Sequence, residues 1–245
     1  GTGTVNGSGQ ATLTISTLAV GSHSITAEYG GDANYNGSTS SILSQTVTNS
    51  NTTTTIVSNN NPSTYGGSVT FTATVTNSGA VTEGTVTFKE GTTVLAGPTT
   101  LDGSGQASFS TSSLNGGSHI IVAEYSGSGS FAPSGGSVTQ VVNKANTTTS
   151  VSSDINPSTF GQPVTLTAMV TNGGGTPTGT VTFKDGITTI GTGTVNGSGQ
   201  ATLTISTLAV GSHSITAEYG GDGNYNGSTS SALSQTVNKA NTTTN

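Results

Sequence analysis

Leu208-Ala-Val-Gly-Ser-His-Ser-Ile-Thr-Ala-Glu-Tyr219 is the stretch from which the rest of the chain can be read. It occurs again, unchanged, from Leu18 to Tyr29, and in a diverged form as Leu114-Asn-Gly-Gly-Ser-His-Ile-Ile-Val-Ala-Glu-Tyr125. Three copies make the chain a tandem array, so the repeat is read before any single residue. Inside the stretch, His213, Ile215, Ala217 and Tyr219 alternate with Ser214, Thr216 and Glu218. A period of two marks a strand with one buried face, here entered through a tight turn at Gly211.

Working outward, Asn51-Thr-Thr-Thr recurs at Asn146 and at Asn241, each copy 95 residues after the last. Residues 1–47 match 191–237 except at Ala33/Gly223 and Ile42/Ala232. The organisation is therefore the C-terminal part of a module at 1–47, complete modules at 51–142 and 146–237, and the start of another at 241–245.

Within one repeat the strands follow from alternation and turn residues. Thr52 to Ser58 turns Thr54 and Ile56 inward, and Asn61-Pro-Ser-Thr-Tyr-Gly-Gly reads as a turn. Val69, Phe71, Ala73 and Val75 alternate with threonines, Val86 and Phe88 face inward next, and Glu90-Gly91 forms a hairpin turn. Strands marked by Ala107 and Phe109, by His119 to Tyr125 and by Val138 to Val142 follow. Seven short strands in one period, with no helical stripe, predict an all-β chain of antiparallel two-sheet sandwiches. The predicted core is Val69, Phe71, Val75, Val86, Phe88, Ile121 and Ala123 in one module. In the next it is Val164, Leu166, Val170, Val181, Phe183, Leu203, Ile205 and Ile215.

Composition narrows the function classes. Charged residues make up 6% of the chain and Lys+Arg number four, too few for a basic face that neutralises phosphates, so neither nucleic acid nor an anionic membrane surface is an expected partner. No cysteine is present, which excludes disulfides and thiolate metal sites. No apolar run approaches the ~18 residues that mark a spanning helix.

The motifs Asn156-Pro-Ser-Thr-Phe-Gly-Gln-Pro-Val-Thr-Leu-Thr-Ala, Pro177-Thr-Gly-Thr-Val-Thr-Phe-Lys-Asp-Gly, Gly199-Gln-Ala-Thr-Leu, the stretch Leu208 to Tyr219, and Gly221-Asp222 keep their order and spacing. Together they resemble the group-three bacterial immunoglobulin-like repeat. That resemblance implies tandem immunoglobulin-like sandwiches in large secreted or cell-surface bacterial proteins, and it implies no activity and no cofactor. Ser126 to Pro133 departs from the pattern by replacing its Gly-Asp-x-Asn-Tyr loop.

Four residue sets invite a chemical reading. His213 with Glu218 and Asp222 has the composition of an acid/base set, but strand alternation sends Glu218 to the opposite face. His23, His119 and His213 instead occupy the place of the corner tyrosine of such sandwiches, and each is expected to be buried and bonded to the backbone of the preceding turn. Asp222, Asn224 and Asn226, repeated as Asp32, Asn34 and Asn36, open like a calcium loop, but Leu233 stands where the twelfth ligand, a bidentate Glu, is required. The alternative is a hairpin loop shaped by side-chain-to-backbone bonds around a packed Tyr225. Lys184 beside Asp185, with Lys144 and Lys239, raises Lys–Asn cross-linking, yet these lysines read as turn or linker residues carrying solvated charge. Asn6, Asn36, Asn51, Asn146, Asn196, Asn226 and Asn241 begin Asn-x-Ser/Thr sequons, candidate glycan acceptors in turns and linkers.

The expectation is an extracellular or cell-surface structural segment, a stalk or fibre whose partners are neighbouring modules or copies of itself. Residues 1–47 lack counterparts of Thr147 to Lys184, which suggests a filament whose modules complete each other end to end. The rival is an adhesin-type module that binds glycan or protein through its end loops, and an enzyme is not expected.

Overall fold

Threonine or serine alternating with a β-branched or aromatic residue offers no helical stripe to bury, but it offers a complete strand face. The computed structural model describes residues 1–243, and these are built of strands and turns with no helix. The first repeat holds β1 (Gly21–Ile25), β2 (Glu28–Tyr29), β3 (Ser38–Thr39) and β4 (Leu43–Val47). The second holds β5 (Thr53–Ser58), β6 (Ser63–Thr64), β7 (Val69–Thr76), β8 (Thr85–Glu90), β9 (Thr93–Thr100), β10 (Gln106–Thr111), β11 (Gly117–Tyr125) and β12 (Ser134–Asn143). The third holds β13 (Thr148–Ser153), β14 (Ser158–Thr159), β15 (Val164–Thr171), β16 (Thr180–Asp185), β17 (Thr188–Thr194), β18 (Gln200–Ile205), β19 (Gly211–Tyr219), β20 (Ser228–Thr229) and β21 (Leu233–Asn238).

The described residues fall into two compact units. The first comprises Gly1–Ile56, Thr72–Ser108 and Val122–Ser137; the second comprises Val57–Phe71, Phe109–Ile121 and the chain from Val138 onward. In the first unit β1 pairs antiparallel with β4, from Gly21↔Val47 to Ile25↔Leu43, and β2 pairs with β3. Val5, Leu13, Ile15, Ile25 and Leu43 of this segment are exposed. In the same unit β8 and β9 form the expected hairpin, with Gly91 at φ +56° in its turn, a conformation that favours glycine. Ala73, Val75, Val86, Phe88 and Ala123 are buried, as their alternation predicts.

The second unit contains the whole third repeat. One sheet runs β13-β15-β18; the other runs β14-β21-β19-β16-β17, with β20 paired to β19. The inward faces of the two sheets bury Val164, Leu166, Val170, Val181, Phe183, Ile215, Ala217 and Tyr219. Leu203 and Ile205 pack against this core but are only half-buried, because β18 is the edge of its sheet. In the same unit Val69, Phe71 and Ile121 are buried, and Phe71 stacks on Phe109 at a centroid distance of 5.3 Å.

Two features differ from the sequence reading. The Asn-Pro-Ser-Thr stretches are more than turns: β6 pairs parallel with β12 and β14 pairs parallel with β21, so the entry segment of each repeat lies beside its exit strand. Lys184 lies within β16, not in a turn, and pairs with Glu218, as Lys89 pairs with Glu124 at 2.6 Å.

Candidate functional site

Three clusters of polar side chains stand out, and the first surrounds His213. Gly211, at φ +144°, starts β19 and sets the imidazole against the turn before it. Nε2 lies 2.8 Å from the Ala209 carbonyl oxygen, and Nδ1 lies 2.6 Å from Asp185 Oδ2. Asp185, at the end of β16, also accepts the Ser214 N–H on Oδ1 at 3.0 Å. Both ring nitrogens thus face acceptors, which only the doubly protonated imidazolium satisfies. The Ala209 carbonyl first, and the Asp185 carboxylate second, raise the His213 pKa above its ordinary value. While protonated, a ring held this way donates two hydrogen bonds and has no nitrogen lone pair with which to act as a base. His23 and His119 make the same backbone bond, to Ala19 at 2.7 Å and Asn115 at 2.8 Å. All three residues are half-buried, and the His213 side chain is 12% exposed. Glu218 turns away to Lys184 and Asp222 belongs to a different cluster, so the acid/base trio is not assembled.

The second cluster is the loop from Asp222 to Asn226. Asp222 Oδ1 accepts the N–H groups of Asn224 at 2.8 Å and Tyr225 at 2.9 Å; Oδ2 accepts the Thr178 N–H at 2.8 Å and its hydroxyl at 2.7 Å. Burial pushes the Asp222 pKa up, but these four donors outweigh it and hold the carboxyl below the usual carboxylate range. The oxygens a calcium ion would need are thus occupied by donors, and among the described residues no group of three His, Cys, Asp or Glu side chains is placed to hold a metal. Burial first, then the Asp222 charge, pushes the neighbouring Tyr219 hydroxyl up to about 12, and it donates to the Thr178 carbonyl at 2.7 Å.

The loop grips the linker between the second and third repeats. Ala145 N–H donates to the Asn224 carbonyl at 2.9 Å, and Asn226 N–H donates to the Ala145 carbonyl at 2.8 Å. Thr147 donates its hydroxyl to the Asn226 carbonyl at 2.8 Å, and Lys144 Nζ donates to the Asp222 carbonyl. From the second repeat, Gly116 N–H donates to Asn224 Oδ1 at 2.8 Å. Tyr225, 2% exposed, donates its hydroxyl to the Gly174 carbonyl and meets the ring of Tyr65 edge-on, at a centroid distance of 5.3 Å. Tyr65 N–H in turn donates to the Asn143 carbonyl at 2.8 Å, which ties down the linker from its other side. The diverged loop of the second repeat grips its own linker in the same way. Ser50 N–H donates to the Ser130 carbonyl, Ala132 N–H donates to the Ser50 carbonyl, both at 2.9 Å, and Ser128 Oγ replaces the aspartate as acceptor.

The third cluster was missed in the sequence. Gln235, 0% exposed, accepts the Ser153 hydroxyl on Oε1 at 2.7 Å and donates from Nε2 to the Ile155 carbonyl at 2.9 Å and to Ser158 Oγ at 3.3 Å. Asn156 donates from Nδ2 to the Ser234 carbonyl at 2.7 Å and accepts the Thr236 N–H on Oδ1 at 3.0 Å. The second repeat copies every bond with Ser58, Asn60, Asn61, Ser63 and Gln140. A signal was available: glutamine takes the same position of the last strand in all three copies, at Gln45, Gln140 and Gln235.

The sequence matches the bacterial Ig-like domain (group 3) over residues 1–48, 55–143 and 149–238. The chain belongs to that family. Among solved structures, this bacterial Ig-like chain is similar to the Yersinia pseudotuberculosis adhesin InvE, at 18% identity over 74% of this chain and 58% of that one, with a TM-score of 0.42. It is also similar to the Clostridium thermocellum CbhA fibronectin(III)-like modules, at 16% identity over 78% and 97%, TM-score 0.36. The Escherichia coli adhesin FdeC follows at 14% identity over 87% and 74%, TM-score 0.33. No curated protein matches.

The remaining candidates of the bacterial Ig-like chain are surface groups. Asn6, Asn36, Asn51, Asn146, Asn196, Asn226 and Asn241 are exposed. Two of these sequons meet at the junction, where Asn226 Nδ2 donates to Asn146 Oδ1 at 2.9 Å. The first repeat's copy of the loop keeps the same internal form, with Asp32 Oδ1 accepting the Asn34 and Tyr35 N–H groups at 2.7 and 2.8 Å, and Tyr35 is 70% exposed. No helix of the described residues is long and apolar enough to cross a membrane.

Proposed function

We propose that this bacterial Ig-like chain is a segment of an extracellular or cell-surface stalk, whose repeats serve as stiff spacers and whose partners are neighbouring repeats. The observation that carries this reading is the grip of the Asp222–Asn226 loop on the linker Lys144–Thr147. A flexible tether leaves its linker backbone to water. Here the linker is bonded on both flanks, and an aromatic pair bridges the two repeats. The loop that a binding module would present is spent on this contact, which favours the spacer reading over the adhesin reading. His213, with both nitrogens facing acceptors, is assigned a structural part and no catalysis.

Backbone nuclear spin relaxation of the full chain tests the reading: the second and third repeats should tumble as one body. Separate tumbling times would reject the stiff spacer. On a glycan array no retention is expected, and specific capture abolished by changes in the Asp32–Asn36 loop would favour the adhesin instead.

A further inference from the structure

Resting on the stalk reading, we propose that the Asn156–Gln235 network, and its copy at Asn61–Gln140, is a side-chain lock that resists tension along the array. In a stalk, load enters a repeat through its first strand and leaves through its last. Each repeat places these two segments side by side and parallel: Ser158↔Val237 and Thr159↔Asn238 in the third, Val142↔Ser63 and Asn143↔Thr64 in the second. Pulling the N-terminus of one parallel strand against the C-terminus of its neighbour slides them past each other. All the bonds between them are then loaded at once, whereas peeling would break them one by one.

Backbone pairing over two residues is too short to hold much load alone, and the sequence extends it with side chains. Between β13 and β14 the chain crosses from one sheet to the other, and its ladder lapses after Asp154, whose N–H donates to the Thr165 carbonyl at 3.1 Å. Asn156 supplies a partner there, because its amide reproduces both halves of a backbone pairing, donating to the Ser234 carbonyl and accepting from the Thr236 N–H. Gln235 reaches back across the same gap to Ser153, Ile155 and Ser158. The run from Ser153 to Thr159 is thereby tied continuously to Ser234 through Asn238, and Phe160 N–H adds a bond to the Asn238 carbonyl at 2.8 Å. Burial raises the cost of breaking these bonds, since Gln235 and Ser158 are buried and water reaches neither readily. The amides also satisfy groups that the crossing would otherwise leave unpaired, a stabilising part they play with or without load, so it is their placement across the sliding direction that bears on tension. Two amides with the same bond pattern at the entry and exit of consecutive repeats point to load.

The test is force spectroscopy of the full chain held by its two ends under constant load, a regime in which lifetime is set by the unfolding rate. Asn156→Ala should make one of the unfolding events about tenfold faster, the loss of roughly one net hydrogen bond on the loaded path. The same variant is then pulled between a handle at Ile187, 98% exposed on a hairpin turn, and the C-terminus, a direction that does not slide β14 along β21. There it should unfold at the rate of the unmodified chain. Equal acceleration in both directions would reduce Asn156 to a general stabiliser, and no acceleration end to end would remove the lock; either result overturns the proposal. Asn156→Asp, which at this exposed position keeps the shape and the acceptor but removes the donor to the Ser234 carbonyl, repeats the test should the alanine variant fold poorly. Failure here leaves the stiff-spacer reading standing, because relaxation measures motion between repeats and this assay measures resistance within one.

Discussion

Replacing Phe183 by alanine probes the sandwich at its centre. Phe183 lies on β16 at 0% exposure, inside a core that includes Leu166, Val181, Ile215 and Tyr219. Burying a phenylalanine side chain completely is worth roughly 1.5–3 kcal/mol of transfer free energy. The cavity left behind adds a further term, because neighbours held in two bonded sheets relax only in part, and the expected cost is about 3–5 kcal/mol. In a module of this size ~1 kcal/mol moves the melting point by about 4–8 °C, so the third repeat should melt roughly 12–40 °C lower. Calorimetry of the full chain measures the shift, and hydrogen exchange over β15, β16 and β19 assigns it to the third repeat. Ile187→Ala is the control: at 98% exposure it should change stability by no more than about 0.5 kcal/mol. A cost below about 1 kcal/mol for Phe183→Ala, or one equal to the control, would mean that the inward face of β16 is misassigned.

Two further outcomes follow from the polar clusters. Folding raises the His213 pKa, so its contribution is complete below about pH 6.5, the unfolded value, and fades as pH climbs through the higher folded value. The third repeat should therefore melt at a lower temperature at pH 8 than at pH 6, and His213→Gln should flatten that slope; an unchanged slope would contradict the Ala209 and Asp185 bonds. Added calcium, or a chelator, should leave melting unchanged because donors already occupy the Asp222 oxygens. A site filled at 100 times its dissociation constant would add about 2.7 kcal/mol, which the same melt would detect.

Much of the third repeat was legible because local alternation carries it. Val164, Leu166, Val170, Val181, Phe183 and Ile215 are buried where a period of two puts them, and the hairpin turns fall at the Glu90-Gly91 pattern and its copy. What escaped the reading depends on residues far apart in the chain. Asp185 precedes His213 by 28 positions on a different strand, and the partners of Gln235 lie about 80 positions away across the sandwich. A pattern of neighbours contains no term for such contacts. The internal bonds of the loop at Asp222 are local, whereas its grip on the linker joins residues about 80 positions apart. Two-residue strands such as β14 are too short to show a period at all.

The central claim is that a loop of one repeat immobilises the linker before it, and the distance between two spin labels tests this most directly. The chain has no cysteine, so Ile120→Cys and Ile187→Cys, both at exposed positions of the second unit, place one label on each repeat without competing sites. Pulsed dipolar spectroscopy should give a single narrow distance distribution, and adding Asp222→Ala with Tyr225→Ala should broaden it while each repeat keeps its own melting transition. A broad distribution in the chain with its native loop, or a narrow one that survives loss of both side chains, would contradict the account.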